Sequence, residues 1–95
     1  MNNELKKKIA SNWFKTLQNV ICFEIKKLEK PSAKFINTKW EKNKKRKEGG
    51  GEYRILKNGK IFEKIGVNFS EVYGKFPKEI GKKIPGLKKN RRFWA

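Results

Sequence analysis

The sequence has 95 residues and a formal net charge of +17, with 36% hydrophobic and 37% charged residues, which leaves room for one small core and is too apolar for a disordered tail. Because Cys22 is the only cysteine and histidine is absent, an internal disulfide, a thiolate- or histidine-built metal site and imidazole acid–base chemistry are excluded within these residues. The positive charge favours polyanionic partners, namely nucleic acid, an acidic membrane surface or a multiply charged small ligand.

The N-terminal part predicts one amphipathic helix over about residues 4–29, with a start nearer Ser11 as the alternative because the lysines at 6–8 are unfavourable near a helix N-terminus. Apolar side chains recur at spacings of three and four, at Leu5, Ile9, Trp13, Leu17, Ile21, Ile25 and Leu28. We expect this stripe to pack on a sheet, with a membrane-surface helix as the alternative. The sequence begins without an apolar signal segment, and no run reaches the roughly 18 apolar residues of a membrane span. These features predict a soluble, cytoplasmic protein.

A first strand is predicted over about residues 34–40, and a strongly basic loop follows it. Alternation places Ile36 and Trp40 on one side of this strand and Phe35 on the other. Residues 41–48 read Glu-Lys-Asn-Lys-Lys-Arg-Lys-Glu and lead into Gly49-Gly50-Gly51. Such a segment predicts a solvated, mobile loop. Its functional alternative is a patch that binds a phosphate backbone or directs nuclear import.

The Asn58-Gly59 pair predicts a β-hairpin between strands at about residues 52–57 and 60–72. This dipeptide favours a two-residue type I′ turn, which needs positive φ at both central positions. Pairing outward from the turn sets Lys57 against Lys60, Leu56 against Ile61, Ile55 against Phe62 and Arg54 against Glu63. The predicted register therefore contains a cross-strand ion pair at its outer end.

Two groups of small and polar residues are candidates for the wall of a substrate pocket or for structural roles. Gly66 predicts a bulge or a close backbone approach within the second strand, and Asn68 and Ser70 share its side of the pleat. The other group is Gly49, Gly50 and Gly51, where backbone shape or a buried hydrogen bond is expected to matter. The three glycines lack the spacing and the following helix of a P-loop. The alternative for Asn68 and Ser70 is that they satisfy backbone groups beside the bulge.

The last part of the sequence predicts a short helix over about residues 77–84 and then a basic tail. Apolar residues repeat at Phe76, Ile80 and Ile84, and Pro77 suits a first helical position. Large rings are unusual near the end of a chain, where residues are commonly polar. We expect the rings of Phe93 and Trp94 to be exposed.

Several motifs are specific enough to indicate a family. The longest runs through residues 61–74 and reads Ile-Phe-Glu-Lys-Ile-Gly-Val-Asn-Phe-Ser-Glu-Val-Tyr-Gly. The others are Trp40-Glu41-Lys42, Glu48-Gly49-Gly50-Gly51, Ile55-Leu56-Lys57-Asn58-Gly59 and Arg92-Phe93-Trp94-Ala95. Together they resemble the N-terminal region of oxygen-dependent coproporphyrinogen III oxidases. The sequence departs from that pattern in the basic insertion at residues 43–47 and in Glu52, which stands where the family has a fourth glycine.

The resemblance implies an enzyme of haem biosynthesis that uses molecular oxygen to decarboxylate two propionates of coproporphyrinogen III, giving protoporphyrinogen IX without an organic cofactor. It implies an α+β fold, in which residues 1–95 form the N-terminal fragment of a single domain and open a larger antiparallel sheet flanked by helices. It also implies a homodimer. The serine and histidines that bind the tetrapyrrole and transfer protons would lie beyond these residues. No catalytic, cofactor-binding or metal-binding residue is therefore assigned, and the chain alone is expected to be inactive.

A small basic nucleic-acid-binding protein is the alternative. Its contacts would come from residues 42–47 and 88–92, with Tyr53 or Trp94 as stacking surfaces. Only four of the 26 basic residues are arginines, however, and sequence-specific readers rely on arginine. An unfinished sheet would also leave an open edge, so we expect the chain alone to associate or aggregate.

Overall fold

A computed structural model describes residues 2–45, 47–81, 83 and 92–95. Its elements are α1 (Asn3–Leu28), β1 (Phe35–Glu41), β2 (Gly49–Lys57), β3 (Lys64–Lys75), α2 (Lys78–Gly81) and β4 (Arg92–Trp94). The strands pair antiparallel in the order β1-β2-β3-β4, and α1 packs against one face. The predicted α+β class, with an N-terminal helix, antiparallel strands and a short helix, is confirmed. Neither described helix has the length and apolar character needed to cross a membrane.

Local signals at both ends explain the extent of α1. The Asn2 side chain caps the N-terminus, where its Oδ1 accepts a hydrogen bond from the Leu5 N–H at 2.7 Å. Glu4 lies in the first turn, and Lys26 and Lys27 lie in the last, so charges complement the helix dipole at both ends. The observed bounds lie within one residue of the prediction at each end.

The side of α1 that faces the sheet is not its apolar stripe. The buried residues of α1 are Ser11, Gln18, Cys22 and Ile25. Much of the predicted stripe is exposed, at Leu5, Ile9, Trp13, Ile21 and Leu28. The expectation that the stripe packs on this sheet is therefore wrong for most of its length. The reason is that Ser11 and Gln18 hydrogen-bond to groups of the sheet. These bonds set the rotation of α1 about its axis and leave most of the apolar stripe exposed.

The small core lies near the C-terminal end of α1. Leu56 has no exposed surface, and Cys22, Ile25 and Ala33 are the other buried apolar residues among those that the structure describes. Leu56 pairs laterally with Phe35 on one side and Ile65 on the other. Burial of apolar surface is thus concentrated at this end, and the interface between α1 and the sheet becomes polar towards the N-terminus of the helix.

The loop between β2 and β3 is longer than the sequence predicts. Lys57 pairs with Lys64, Leu56 with Ile65, Ile55 with Gly66 and Arg54 with Val67. The two-residue turn, the strand start at residue 60 and the Arg54–Glu63 pair are therefore wrong, since the loop spans residues 58–63. Asn58 does have a positive φ of 57°, but Gly59 is not in the left-handed region, so the type I′ requirement is not met.

Glu29 accounts for this longer loop. Its carboxylate accepts hydrogen bonds from the backbone N–H groups of Lys60, Ile61 and Phe62, at 2.6, 2.8 and 2.7 Å. In the predicted register these residues belong to the second strand instead. The Asn58 N–H closes the loop on the Glu63 carbonyl at 2.8 Å. A tertiary contact with the residue that follows α1 thus overrides a strong local turn signal.

The glycine positions differ from the prediction in two further ways. β2 begins at Gly49, so Gly49-Gly50-Gly51 lie within a strand and not in a loop before it. Gly66 pairs directly with Ile55 in an uninterrupted register. A Cβ added at Gly66 would meet no atom closer than 3.8 Å. The predicted bulge or close approach at Gly66 is therefore wrong.

The basic segment between β1 and β2 forms a hydrogen-bonded turn in its described residues. The Lys42 N–H donates to the Gly49 carbonyl at 2.8 Å, and the Lys47 N–H donates to that of Asn43 at 3.0 Å. Asn43 and Lys47 have φ values of 54° and 50°, a conformation that Asn adopts more readily than most residues. The lysine side chains of this turn are exposed.

The C-terminal residues add a strand that the sequence does not predict. Residues 92–94 pair with residues 73–75 of β3. The Phe93 ring stacks on Phe76 with centroids 4.6 Å apart, and the Trp94 indole N–H donates to Glu71 Oε2 at 2.8 Å. Both rings are half-buried, so the expectation that they are exposed is wrong. The predicted helix end at residue 84 and most of the basic tail, residues 88–91, lie outside the described residues.

Candidate functional site

The six candidate positions line two hollows of the sheet. Gly49, Gly50 and Gly51 line a groove between α1 and the sheet, which we call the α1 groove. The other three, Gly66, Asn68 and Ser70, line a depression on the opposite face. The two trios are adjacent, because Gly51 pairs with Ser70 across β2 and β3.

Close backbone packing explains the three consecutive glycines. A Cβ at Gly49 would stand 2.1 Å from the Glu71 carbonyl oxygen, one at Gly50 2.3 Å from that of Trp40, and one at Gly51 2.1 Å from that of Phe69. Gly49 also has a φ of 108°, which side chains disfavour. β2 can therefore approach β1 and β3 this closely only because these three positions carry no side chain.

The α1 groove encloses about 600 Å³. It is lined from the helix by Lys15, Gln18 and Asn19, and from the strands by Lys39, the three glycines, Glu52, Arg54, Phe69, Glu71 and Tyr73. Its surface is thus mixed, with three cationic and two anionic side chains above a floor of backbone.

Gln18 fixes the position of α1 above this groove. The residue is only 5% exposed, and its Nε2 donates to the carbonyl oxygens of Glu52 and Val67, both at 2.9 Å. Both protons of its amide nitrogen are therefore used. One side chain ties the helix to β2 and β3 at once.

Arg54 is held by residues of its own strand and of α1. Its Nε and Nη2 lie 2.7 and 2.6 Å from Glu52 Oε2, and its Nη1 donates to Asn19 Oδ1 at 2.6 Å. Both ion-pair partners are largely buried, with side chains 18% and 17% exposed. Burial raises the pKa of the nearby Cys22 thiol, and Arg54 opposes that shift without cancelling it. The thiol is therefore mainly neutral and a weak nucleophile.

Glu71 joins three elements at the far end of the groove. The Ser11 hydroxyl of α1 donates to its Oε1 at 3.2 Å, and the Trp94 indole of β4 donates to its Oε2 at 2.8 Å. With Glu52 paired to Arg54, both carboxylates of the groove have partners within the chain. The groove therefore holds a structural network and not a pair of free acid–base groups.

The opposite face carries a shallow depression of about 390 Å³. Gly66, Asn68 and Ser70 are exposed there, and Trp40 and Tyr53 stand beside them. A Cβ on Gly51 would lie 3.0 Å from Trp40 Nε1, so the indole leans over that glycine. Two aromatic rings thus border a floor of small and polar residues.

The described residues contain no group of three or more His, Cys, Asp or Glu side chains that could hold a metal ion. Sequence analysis missed Gln18, Glu29 and Glu71, which organise the packing of α1, the β2–β3 loop and β4. The one sequence signal for these residues was that each polar side chain stands beside residues of an apolar pattern. Their partners, however, lie between 23 and 60 residues away in sequence, beyond the reach of local patterns.

Comparison with known proteins gives a consistent assignment. The family model for coproporphyrinogen III oxidase matches residues 9–95. The oxygen-dependent coproporphyrinogen-III oxidase of Rickettsia felis is 42% identical over 94% of this chain and 33% of its own length, and that of Rickettsia akari is 41% identical with the same coverage. That of Rickettsia bellii is 36% identical over 98% of this chain and 35% of its length. The chain thus spans about a third of the length of these relatives. No solved structure matches it.

Proposed function

The chain belongs to the coproporphyrinogen III oxidase family, and we propose that it serves the oxygen-dependent decarboxylation of coproporphyrinogen III to protoporphyrinogen IX in haem biosynthesis. The observation that carries the proposal is the match to the family over residues 9–95, with 42% identity to the Rickettsia felis oxidase. The match includes the strands and glycines that shape both candidate faces.

The proposed reaction needs no organic cofactor as oxidant. Conversion of each propionate to a vinyl group releases carbon dioxide and two electrons with a proton, which is formally a hydride. Two conversions release four electrons, the number that reduces one molecule of oxygen to two of water with the uptake of two further protons. Oxygen is therefore a sufficient electron acceptor.

We assign these 95 residues a role in scaffold and pocket wall, and we expect no turnover from them alone. The sequence has no histidine, and in the α1 groove Glu52 is paired with Arg54, while Glu71 is bonded to Ser11 and Trp94. A general acid–base pair is thus not assembled among the described residues. The groups that move protons would come from polypeptide that corresponds to the other two thirds of the relatives.

The proposal includes a cytoplasmic homodimer for the complete enzyme. Large apolar side chains are exposed along α1, at 60% for Trp13, 62% for Phe23 and 64% for Leu28. Exposed apolar surface of this extent favours association with further protein. It supports a larger assembly without specifying which surface joins two subunits.

The test is a reconstitution assay with a defined partner. The purified 95-residue chain is assayed with coproporphyrinogen III in air and without oxygen, alone and after co-expression with the part of the Rickettsia felis oxidase that follows the matched region. We expect protoporphyrinogen only from the co-expressed complex and only in air. A soluble complex without activity would contradict the proposed function, and turnover by the chain alone would contradict the scaffold assignment.

A further inference from the structure

The sheet face opposite α1 has an unusual composition, which the fold does not explain. We call it the open face and define it by Trp40, Tyr53, Ile55, Gly66, Asn68 and Ser70. Along β3, Gly66, Asn68 and Ser70 are exposed on this face, while the alternate residues are half-buried on the side of α1. Glycine and asparagine are depleted in strands, so Gly66 and Asn68 at neighbouring positions of this face need a reason other than strand formation.

Close packing within the chain is not that reason. Gly50 and Gly51 lack side chains because a Cβ would collide with backbone oxygens at 2.3 and 2.1 Å, whereas a Cβ at Gly66 would stand at least 3.8 Å from its neighbours. The chain itself leaves the space above Gly66 empty. A surface that only faced solvent would have no need for glycine at this position, since a β-branched residue would stabilise the strand better.

The polar and aromatic groups around this space are arranged as a floor with a border. Tyr53 pairs with Asn68, and Gly51 links Trp40 on one side to Ser70 on the other. Asn68 and Ser70 offer hydrogen-bond acceptors in the floor, and the two rings rise at its side. This arrangement suits a ligand that has N–H donors at its centre and apolar edges.

The dimensions and charges of the face narrow the class of ligand. From Gly66 to Ser70 the strand advances about 13 Å, and β1 to β3 is about 10 Å, which is the footprint of one tetrapyrrole macrocycle. Lys57 and Lys64 pair at one margin of this face. Both are exposed, and neither forms an ion pair in the described part of the chain. Two unpaired ammonium groups at a margin complement carboxylates on the periphery of a ligand.

We propose that the open face, and not the α1 groove, is the surface on which this chain binds the macrocycle of a polycarboxylate tetrapyrrole. The macrocycle lies over Gly66, its pyrrole N–H groups donate to Asn68 and Ser70, and a propionate reaches Lys64. This inference rests on the proposed function, because that function supplies the substrate class. It goes further in naming the face and the residues in contact.

The three tryptophans of the chain allow a direct test. Trp40 borders the open face, Trp94 is bonded to Glu71 of the α1 groove, and Trp13 is exposed on the flank of α1. The chain with ¹⁵N-labelled tryptophan would be titrated with coproporphyrin III, the stable oxidised form of the substrate with the same four propionates. We expect the Trp40 indole signal to shift by ring current and the other two to stay in place. A shift confined to Trp94 or Trp13, or no binding at all, would overturn the inference.

Substitutions on the open face can test whether coproporphyrin affinity falls while the fold stays intact. Gly66→Val fills the empty space and suits a strand, so we expect an intact fold and coproporphyrin affinity weakened about tenfold or more. Asn68→Leu keeps the size of the side chain and removes its acceptor, with a similar expected loss. The matched control is Lys39→Ala in the α1 groove, which should leave affinity unchanged. Equal affinity of Gly66→Val and the unaltered chain would sink the proposal.

The same variants distinguish this inference from the proposed function. In the reconstituted complex, normal turnover with an unchanged KM for Gly66→Val would overturn the open-face assignment and leave the function standing. The opposite result is also possible: coproporphyrin shifts the Trp40 signal, Gly66→Val abolishes that shift, and the soluble reconstituted complex shows no turnover. This result would overturn the proposed function and leave the binding face standing.

Discussion

Glu29 and Gly59 lie in direct contact, so close that a Cβ on Gly59 would stand 2.7 Å from the Glu29 carboxylate carbon. One residue directly follows α1 and the other belongs to the loop between β2 and β3. The same carboxylate accepts three backbone hydrogen bonds from that loop. The register of the two central strands is therefore set partly by the end of a helix.

Replacing Glu29 by Gln should destabilise the fold. The neutral amide keeps one acceptor oxygen but loses the charge that strengthens the bonds from Lys60, Ile61 and Phe62. We expect a lower urea midpoint and faster hydrogen exchange at these three amides. The control is Glu24→Gln on the exposed side of α1, where the carboxylate forms an exposed ion pair with Lys27 and the midpoint should hardly move. Equal effects of the two substitutions would contradict this role of Glu29.

The Glu29 contact should also make stability depend on pH in the acid range. Burial acts to raise the pKa of Glu29, but the N–H donors of Phe62, Lys60 and Ile61 outweigh it, and the pKa of the folded state is lowered. The stabilisation is therefore complete above the unfolded pKa of about 4.3 and is lost as pH falls through the folded value. Between about pH 5 and 3, Tm should fall more for the unaltered chain than for Glu29→Gln. Parallel curves would contradict the assignment.

Alanine substitutions should separate the glycines into two classes. At Gly50 or Gly51 the new Cβ meets a backbone oxygen at 2.3 or 2.1 Å, so we expect a loss of about 1–3 kcal/mol in the free energy of unfolding. Gly66→Ala meets open space and should be neutral or stabilising, by up to about 1 kcal/mol. Chemical denaturation of the three variants measures both effects. A loss at Gly66 equal to that at Gly51 would show that Gly66 is needed by the fold.

Loss of the Gln18 amide should loosen α1 from the sheet. Gln18→Leu removes both hydrogen bonds to the strand carbonyls, at an expected cost of about 1–3 kcal/mol. Thr16→Leu, an exposed change two positions earlier, should stay within about 0.5 kcal/mol. Hydrogen exchange along α1 provides the local measurement. Unchanged protection in Gln18→Leu would mean that the other contacts of α1, including Ser11–Glu71 and Asn19–Arg54, hold the helix without Gln18.

The basic turn should bind nucleic acid only by non-specific electrostatic attraction to phosphate groups. Lys44, Lys45 and Lys47 are exposed, and contacts of lysine with phosphate weaken steeply with salt. We expect affinity for duplex DNA or RNA at low salt that disappears near physiological ionic strength. A triple Lys→Ser variant at these positions should abolish it and leave coproporphyrin binding intact. Affinity that persists at physiological salt would instead support a nucleic-acid-binding protein.

Local patterns were sufficient to predict the extent of the first elements. The spacing of apolar residues gave the bounds of α1 within one residue, and alternation gave β1 with an offset of one residue. The rotation of α1 could not be predicted this way. It depends on Ser11 and Gln18 finding partners on β2 and β3, and periodicity counts such polar residues as outward-facing.

The face shared by three of the candidate residues was predictable, but the neighbours of the three glycines were not. Alternation alone places Gly66, Asn68 and Ser70 on one face of β3, as the structure has them. That Gly51 lies beside Ser70 and Gly50 beside Glu71 required the register, which Glu29 shifts through a contact some 30 residues away in sequence. The functional roles of both trios stay predictions.

The reactivity of the Cys22 thiol can report how often α1 separates from the sheet. The only thiol in the sequence is 7% exposed and lies where α1 meets the sheet, so a thiol-modifying reagent can reach it only when the helix lifts. The rate of modification then reports how often that opening occurs. Because no second cysteine contributes to the signal, the rate of thiol modification can be compared directly among all the variants described above.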